Sequence, residues 1–329
     1  MKTAPDISDV RAARERIMPH VHQTPVLTCG HMDALAGARL FFKCENLQKV
    51  GAFKARGACN AVYSLTDEAA GAGVLTHSSG NHGQALCYAA ARRGIPATVV
   101  MPENAPAPKK AAVRGYGGTI VECAPTTAAR EETAARIGAE TGAEFVHPYN
   151  DSRVIAGQGT CALELLEQVD GLDAVIAPVG GGGLVSGTCI AVKALAPDTL
   201  VHAAEPSGAD DAWRSRRAGR MLPQEDPRTI ADGLRTGLGE LTWPFVSRDI
   251  AGVLLSEERD IVAAMRLIWE RMKLVVEPSA AVPLAAMLAH PEPFREKRVG
   301  IILSGGNVDL EALPFSLAPR DRDLTTSHS

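Results

Sequence analysis

Lys54 stands directly after Gly51-Ala52-Phe53, at the head of a predicted helix, in a stretch from Cys44 to Ala58 that follows the apolar run Leu40-Phe41-Phe42. A lysine flanked by a phenylalanine and small residues is a candidate amine nucleophile. A desolvated ammonium loses its proton near neutral pH, and the free amine can attack an aldehyde. Taken alone, such a residue is more often a solvated helix lysine. The other chemistry-bearing segments shift that balance. Gly180-Gly181-Gly182-Gly183 sits where the apolar run Ala174-Val175-Ile176-Ala177 hands over to a helix. Glycines there let backbone N–H groups converge on an anion at a helix N-terminus, which suits a phosphate. A dinucleotide is the rival ligand, since Glu205 lies 22 residues past Gly183, where a ribose-binding acid would stand. The G-x-G-x-x-G spacing fails, however, because its third position falls on Val185 or Ser186.

Three further segments carry polar groups. His77-Ser78-Ser79-Gly80-Asn81-His82-Gly83-Gln84 gathers hydroxyl and amide donors at a helix start, a natural clamp for a carboxylate or a phenolic oxygen. The bland alternative is an ordinary N-cap by Ser79 or Asn81, with His82 a packing histidine. Ser304-Gly305-Gly306-Asn307 ends the run Gly300-Ile301-Ile302-Leu303, at a strand end of the kind where ligands bind in parallel sheets. Ala204-Glu205-Pro206-Ser207-Gly208-Ala209-Asp210-Asp211 brings three carboxylates and backbone carbonyls together and could hold a hard divalent cation, though taken alone the segment reads first as a solvated acidic loop.

These segments need strands and helices to position them, and the hydrophobic pattern supplies both. Helices are expected over 6–18 (capped by Asp6 or Ser8), 32–36, 84–92, 107–114 and 128–141, with Pro108 in a first turn. Strands are expected over 40–45, 73–76, 97–101, 119–121, 144–146, 174–179, 200–204, 252–255 and 299–303. Their apolar runs are continuous rather than alternating, as in parallel strands covered on both faces. The alternation of strands and helices predicts an α/β fold. Pro148-Tyr149-Asn150-Asp151 is the candidate crossing between two lobes.

Composition narrows the class. The chain has 329 residues, 46% hydrophobic and 22% charged, with a net charge of −4, so nothing asks for nucleic acid. Seven scattered cysteines without a Cys-x-x-Cys pair read as reduced thiols. No apolar leader and no transmembrane run are evident, which predicts a cytoplasmic protein.

Together the motifs resemble the pyridoxal-phosphate enzymes of the tryptophan-synthase-β fold (fold type II), in the serine/threonine dehydratase branch that includes serine racemases and 3-hydroxyaspartate dehydratases. The resemblance spans about residues 5–312 and rests on six stretches. These are Gly51 to Ala58, Ser78 to Gly83, the tetraglycine, Ala231-Asp232-Gly233, Val276-Glu277-Pro278 and Ser304 to Asn307. It implies two domains, a small one of residues 49–148 and a large cofactor-binding one of residues 1–48 and 149–329. It implies that Lys54 binds the cofactor covalently, that Phe53 lies against the pyridine ring, and that Asn81 hydrogen-bonds the phenolic oxygen. Gly180, Gly181, Gly182, Gly183 and Leu184 would cradle the phosphate, and Ser304 would bond the pyridine nitrogen. Ser78, Ser79, Asn81 and His82 would clamp the substrate carboxylate, with Arg130 near the substrate. Glu205, the carbonyl of Ala209, and Asp211 match a Mg²⁺ or Mn²⁺ site, with Ca²⁺ also admissible. Ser79 matches a serine that works from the cofactor face opposite Lys54, which permits two-base racemisation beside elimination.

The resemblance therefore implies a lyase that removes water from L-serine, L-threonine or 3-hydroxyaspartate. The alternatives are serine racemisation as the main activity, or a β-replacement reaction. A nucleotide-binding module without turnover is the reading from outside the enzyme class. A homodimer is expected, with a small-molecule substrate as the other partner. Cys29-Gly30 stands where mammalian racemases have a Ser-rich stretch that contributes to nucleotide activation, so the resemblance does not by itself imply such activation here.

Overall fold

The continuous apolar runs form two sheets of mainly parallel strands. The computed structural model describes residues 4–78 and 80–317, without the side chains of Thr127, Ser316 and Leu317. The strands are β1 (Val26–Leu27), β2 (Arg39–Cys44), β3 (Val74–His77), β4 (Ala97–Pro102), β5 (Thr119–Cys123), β6 (Glu144–Phe145), β7 (Ala174–Pro178), β8 (Leu200–Pro206), β9 (Gly252–Ser256) and β10 (Arg298–Leu303). The larger sheet has the order β1-β2-β10-β7-β8-β9, and the smaller one β5-β4-β3-β6. Every pairing is parallel except β1 with β2. All five residues of β7 are buried, as expected of a central parallel strand covered on both faces.

The helices are α1 (Ile7–Ile17), α2 (Gly30–Ala36), α3 (Lys54–Tyr63), α4 (Asp67–Gly71), α5 (Asn81–Arg93), α6 (Ala107–Gly115), α7 (Thr127–Thr141), α8 (Ser152–Gln168), α9 (Gly183–Leu195), α10 (Asp211–Ala218), α11 (Trp243–Arg248), α12 (Glu258–Leu267) and α13 (Pro278–Ala289). Asp6 caps α1 in a reciprocal capping box with Asp9. The helix expected from Gln84 starts three residues earlier, at Asn81, and Gly80 rather than Ser79 or Asn81 is its N-cap. The polar loop thus belongs to the helix head, and the Asn81 side chain is released from capping.

Parallel pairing sends the ends of β2, β10, β7 and β8 to one edge of the larger sheet. Lys54, Ser304, the tetraglycine and Glu205 all follow or end these strands. The buried helix α8 ties two of them together. It crosses α3 at Gly57 and Gly157, where a Cβ on Gly157 would lie 2.6 Å from the Gly57 Cα. It crosses α9 at Gly159 and Gly187, where a Cβ on Gly187 would lie 2.4 Å from the Gly159 nitrogen. Backbone contact at both crossings sets the lysine-bearing helix and the glycine-headed helix against one rigid element.

A buried ion cluster locks the same region. The Arg56 guanidinium, two residues past Lys54, is fully buried and forks to both oxygens of Glu45 (2.7 and 2.8 Å) and both of Glu164 (2.7 and 2.8 Å). Lys43 Nζ completes the set on Glu164 at 2.7 Å and the Thr24 carbonyl at 2.8 Å. Two cations and two anions balance, so no charge is left uncompensated in the low-dielectric interior. Their mutual attraction raises the Arg56 pKa and lowers that of Glu45.

Candidate active site

Two short 3-10 turns, Glu45–Leu47 and Lys49–Gly51, carry the chain from β2 to Lys54. Val50 adopts φ +55°, a left-handed conformation that a β-branched residue takes only when its surroundings impose it. Asn307 Nδ2 donates to its carbonyl at 2.8 Å, and the Gly306 N–H donates to the Gly51 carbonyl at 2.8 Å. The Phe53 N–H donates to the Ser304 carbonyl at 3.0 Å. The segment after β10 therefore splints the lysine loop directly, and Ser304 is buried beside it.

Lys54 Nζ donates to the Pro148 carbonyl at 2.7 Å and lies 5.1 Å from the centre of the Phe53 ring. Burial depresses its pKa to about 8, against the opposing pull of the Glu277 carboxylate. Pro148 leads into Tyr149, whose ring packs on the tetraglycine. A Cβ on Gly181 would lie 2.2 Å from the Tyr149 ring. Gly182 has φ +87° and is the N-cap of α9, and a Cβ there would meet Thr242 at 2.8 Å. Thr242 Oγ1 donates to the Gly181 carbonyl at 2.8 Å. The loop is thus an N–H cradle at a helix N-terminus with no room for side chains, and Leu184 lies buried in the first turn behind it. The Pro148–Tyr149 segment spans the space between this cradle and the Lys54 amine.

Asn81, at the head of α5, reaches across to the larger sheet. Its Nδ2 donates to Glu277 at 2.9 and 3.1 Å, and its Oδ1 accepts from Asn307 at 2.9 Å. Glu277 occupies the N-cap position of α13. Burial, with Asp232 repelling it, raises its carboxyl to about 7. Lys109 on α6 pairs with Asp232, a second tie between the two sheets. Sequence reasoning assigned Glu277 no role. Its only signal was membership of a matching motif, because its partner Asn81 is 196 residues away.

The remaining predicted residues fall in three places. The His82 ring is buried, with Nε2 on the Val146 carbonyl at 3.2 Å and Nδ1 without a hydrogen-bond partner among the described residues. Ser78 Oγ accepts from the Gly80 N–H at 3.3 Å. Ser79 lies outside the described residues. Arg130, in the first turn of α7, is close enough to lower the pKa of His77 electrostatically and to act on Tyr149 in the same sense. The rings of His77 and His147 meet edge to face at 5.6 Å. His147 Nδ1 accepts from the Tyr149 and Asn150 N–H groups at 3.2 and 2.9 Å.

Glu205, near the end of β8, and Asp211, at the start of α10, are both buried. Glu205 accepts from the Ala212 and Trp213 N–H groups at 3.0 and 3.1 Å. Burial and the Asp211 charge raise the Glu205 carboxyl well above its usual range. Burial raises Asp211 to about 6, and its Oδ1 is buried without a hydrogen-bond partner among the described residues. Asp211 Oδ2 accepts from the Leu238 N–H at 3.2 Å, and Leu238 in turn packs near Gly182. Ala209 is buried between the two carboxylates in sequence. Two mutually repelling carboxylates with an orphaned oxygen fit a divalent cation. Among the described residues, no three His, Cys, Asp or Glu side chains form a metal cluster, so any such site also needs the backbone.

The family model described as pyridoxal-phosphate dependent enzyme matches residues 17–305. The β-hydroxyaspartate dehydratase of Paracoccus denitrificans is 58% identical over 95% of this chain and 99% of its own length. The serine racemase of Dictyostelium discoideum is 51% identical. Its crystal structure matches with a TM-score of 0.89 over 93% of this chain and 99% of that one. The structure of maize serine racemase has 48% identity and a TM-score of 0.93, covering 96% of this chain and 97% of that one. A threonine deaminase structure also has 48% identity, with a TM-score of 0.89, covering 93% and 99% of the two chains. These neighbours share the two-sheet α/β fold expected from the sequence.

Proposed function

We propose, from the premise that the chain belongs to the pyridoxal-phosphate-dependent enzyme family, that its site removes water from a small β-hydroxy-amino acid and releases ammonia and a keto acid. The observation that carries this reading is the buried Lys54 amine, poised near neutral pH beside a glycine cradle shaped for an anion. Within that class, 3-hydroxyaspartate is the favoured substrate. The charge of Arg130 acts on His77 and Tyr149, and a β-carboxylate would find a cation there that serine and threonine do not use.

Gly180 to Leu184 would hold the cofactor phosphate, Asn81 its phenolic oxygen, Ser304 its ring nitrogen, and Phe53 one face. Pyridoxal phosphate, when bound, supplies the electron sink that acidifies the substrate α-carbon. Lys54 is the base. An amine with pKa about 8 is neutral often enough at pH 7 to accept the α-proton and basic enough to hold it. The Ser304 hydroxyl is a neutral partner, so charge on the α-carbon is stored weakly and departure of the β-hydroxyl is favoured over longer-lived alternatives. The N–H groups at the head of α5, with Ser78 and Ser79, orient the α-carboxylate. Racemisation of serine is a second activity, with Ser79 as the group on the opposite face. It is supported by the 51% identity to a serine racemase.

We also propose that Glu205, Asp211 and the Ala209 carbonyl hold Mg²⁺ or Mn²⁺, or Ca²⁺. The orphaned Asp211 Oδ1 supports this reading. The chain is proposed to work as a cytoplasmic homodimer, with residues 49–148 as the smaller domain. No helix among the described residues is long and apolar enough to cross a membrane.

The deciding experiment presents L-serine, D-serine, L-threonine and both 3-hydroxyaspartate diastereomers to the purified protein, with keto acid and chirality read together. Turnover of one 3-hydroxyaspartate diastereomer ahead of the others is expected. A colourless protein that takes up no added pyridoxal phosphate would refute the reading.

A further inference from the structure

The Asn81 carboxamide could present either its N–H or its carbonyl to a ligand, and its neighbours remove that choice. One of them, Val50, offers a backbone carbonyl, which can only accept, so the side chain of Asn307 must turn its Nδ2 that way (2.8 Å). The same Nδ2 reaches Asn81 Oδ1 at 2.9 Å, which fixes the Asn81 oxygen on the Asn307 side. Asn81 Nδ2 then faces both Glu277 oxygens, at 2.9 and 3.1 Å. Two oxygens of one carboxylate subtend too narrow an angle for both N–H bonds of a planar amide, so one N–H points between them and the other stays available. Glu277 is itself held by its own N–H on the Gly305 carbonyl at 3.0 Å. It has no room to withdraw, since a Cβ on Gly305 would lie 2.7 Å from its Oε1. Even when protonated, Glu277 keeps one accepting oxygen.

We propose that Glu277 and Asn307 are positioning residues that orient the Asn81 carboxamide, so that its second N–H, and not its carbonyl, faces the phenolic oxygen of the cofactor. The inference rests on the cofactor reading above. It gives a catalytic purpose to the strained Val50, whose carbonyl is the fixed end of the relay. It also explains why a buried carboxylate is kept next to a lysine whose amine must be neutral.

The test uses apoprotein titrated with pyridoxal phosphate, without substrate. Covalent loading is counted by intact mass after hydride reduction. The ratio of the absorbance bands for the deprotonated and protonated ring oxygen is read in parallel. In Glu277→Gln, residue 277 can donate as well as accept, so one of the two restraints on Asn81 is lost and only Asn307 still opposes a flip. The expected result is full loading at saturation, a band ratio shifted toward the protonated oxygen, and a dissociation constant raised about tenfold, the scale of one hydrogen bond to a charged group. Asn307→Asp, which sets an acceptor against Asn81 Oδ1 and the Val50 carbonyl, should shift the ratio the same way and decides the matter if Glu277→Gln fails to fold. In an Asn81→Ala background, at a pH above the Lys54 midpoint where Glu277 no longer acts through the amine, Glu277→Gln should change neither quantity further. A parent-like spectrum in both variants, or effects that add to Asn81→Ala, would overturn the proposal. Failure of the parent to load would instead refute the cofactor reading itself.

Discussion

Covalent uptake of pyridoxal phosphate by the apoprotein should rise with pH to a plateau whose midpoint is near 8. The nucleophile is the neutral amine, and burial penalises the ammonium of Lys54, which lowers its pKa from 10.5 to about 8. At pH 7 an amine with that pKa is about one-tenth neutral, whereas one at the ordinary value is neutral about three times in ten thousand. The structure therefore predicts a gain in reactive amine of roughly 300-fold over an exposed lysine. The sign of the Glu277 contribution can be checked in the same assay. Its negative charge favours the ammonium, so Glu277→Gln should move the midpoint below that of the parent. Stopped-flow absorbance across about four pH units centred on the midpoint, referred to a free lysine peptide at each pH, measures the curve. A rate that follows the peptide and keeps climbing well past the midpoint would refute the argument that burial activates Lys54.

Arg56→Ala should lower the unfolding free energy of the apoprotein by about 3–5 kcal/mol in urea melts, because it strands Glu45 and leaves Lys43 as the one cation for two buried carboxylates. A loss below about 1 kcal/mol would mean that water reaches the cluster. Gly181→Ala should weaken pyridoxal phosphate binding at least tenfold by pushing the Tyr149 ring out of its place, while binding of phosphate-free pyridoxal changes less. Equal losses for the two ligands would separate the cradle from the phosphate. Ser79→Ala should abolish serine racemisation, followed by chiral chromatography, and leave keto-acid formation largely intact. Parallel loss of both would make Ser79 structural. Asp211→Asn should remove any rise in melting temperature on adding Mg²⁺ or Mn²⁺, and a parent protein indifferent to chelator would return that loop to an acidic turn.

The strands were legible because burial on both faces leaves an unbroken apolar run, as in Ala174 to Pro178. Their limits moved by a residue or two; β2, for example, stops at Cys44 because Glu45 turns into a 3-10 helix toward Arg56. The head of α5 was the clearest miss. Its cap is Gly80, which offers no side chain, so the capping signal of Ser79 and Asn81 pointed to an ordinary helix start. The Asn81 side chain instead serves Glu277 and Asn307. His82 read as a clamp, and the fold commits one of its ring nitrogens, Nε2, to the Val146 carbonyl while Nδ1 stays unpartnered among the described residues. Neither Arg56 nor Glu277 had a local signature. Arg56 joins Glu45, 11 residues away across two turns, to Glu164, 108 residues away, and the partner of Glu277 lies 196 residues away; periodicity carries no information over such separations.

By itself, the sequence determined the chemistry available. A lysine after Gly-Ala-Phe, a four-glycine turn at a strand end and a Ser-Ser-Gly-Asn-His-Gly helix head are local patterns, and their backbone demands and side-chain chemistry are set within a few residues. Tertiary structure decided how reactive that chemistry is. The Lys54 pKa depends on the burial supplied by distant segments and on Glu277. The orientation of Asn81 depends on Val50 and Asn307, and the exclusion of side chains from the glycine loop depends on Tyr149 and Thr242 packing against it. Desolvation and hydrogen-bond direction act across a few ångströms of space, and only the folded chain brings these residues within that range.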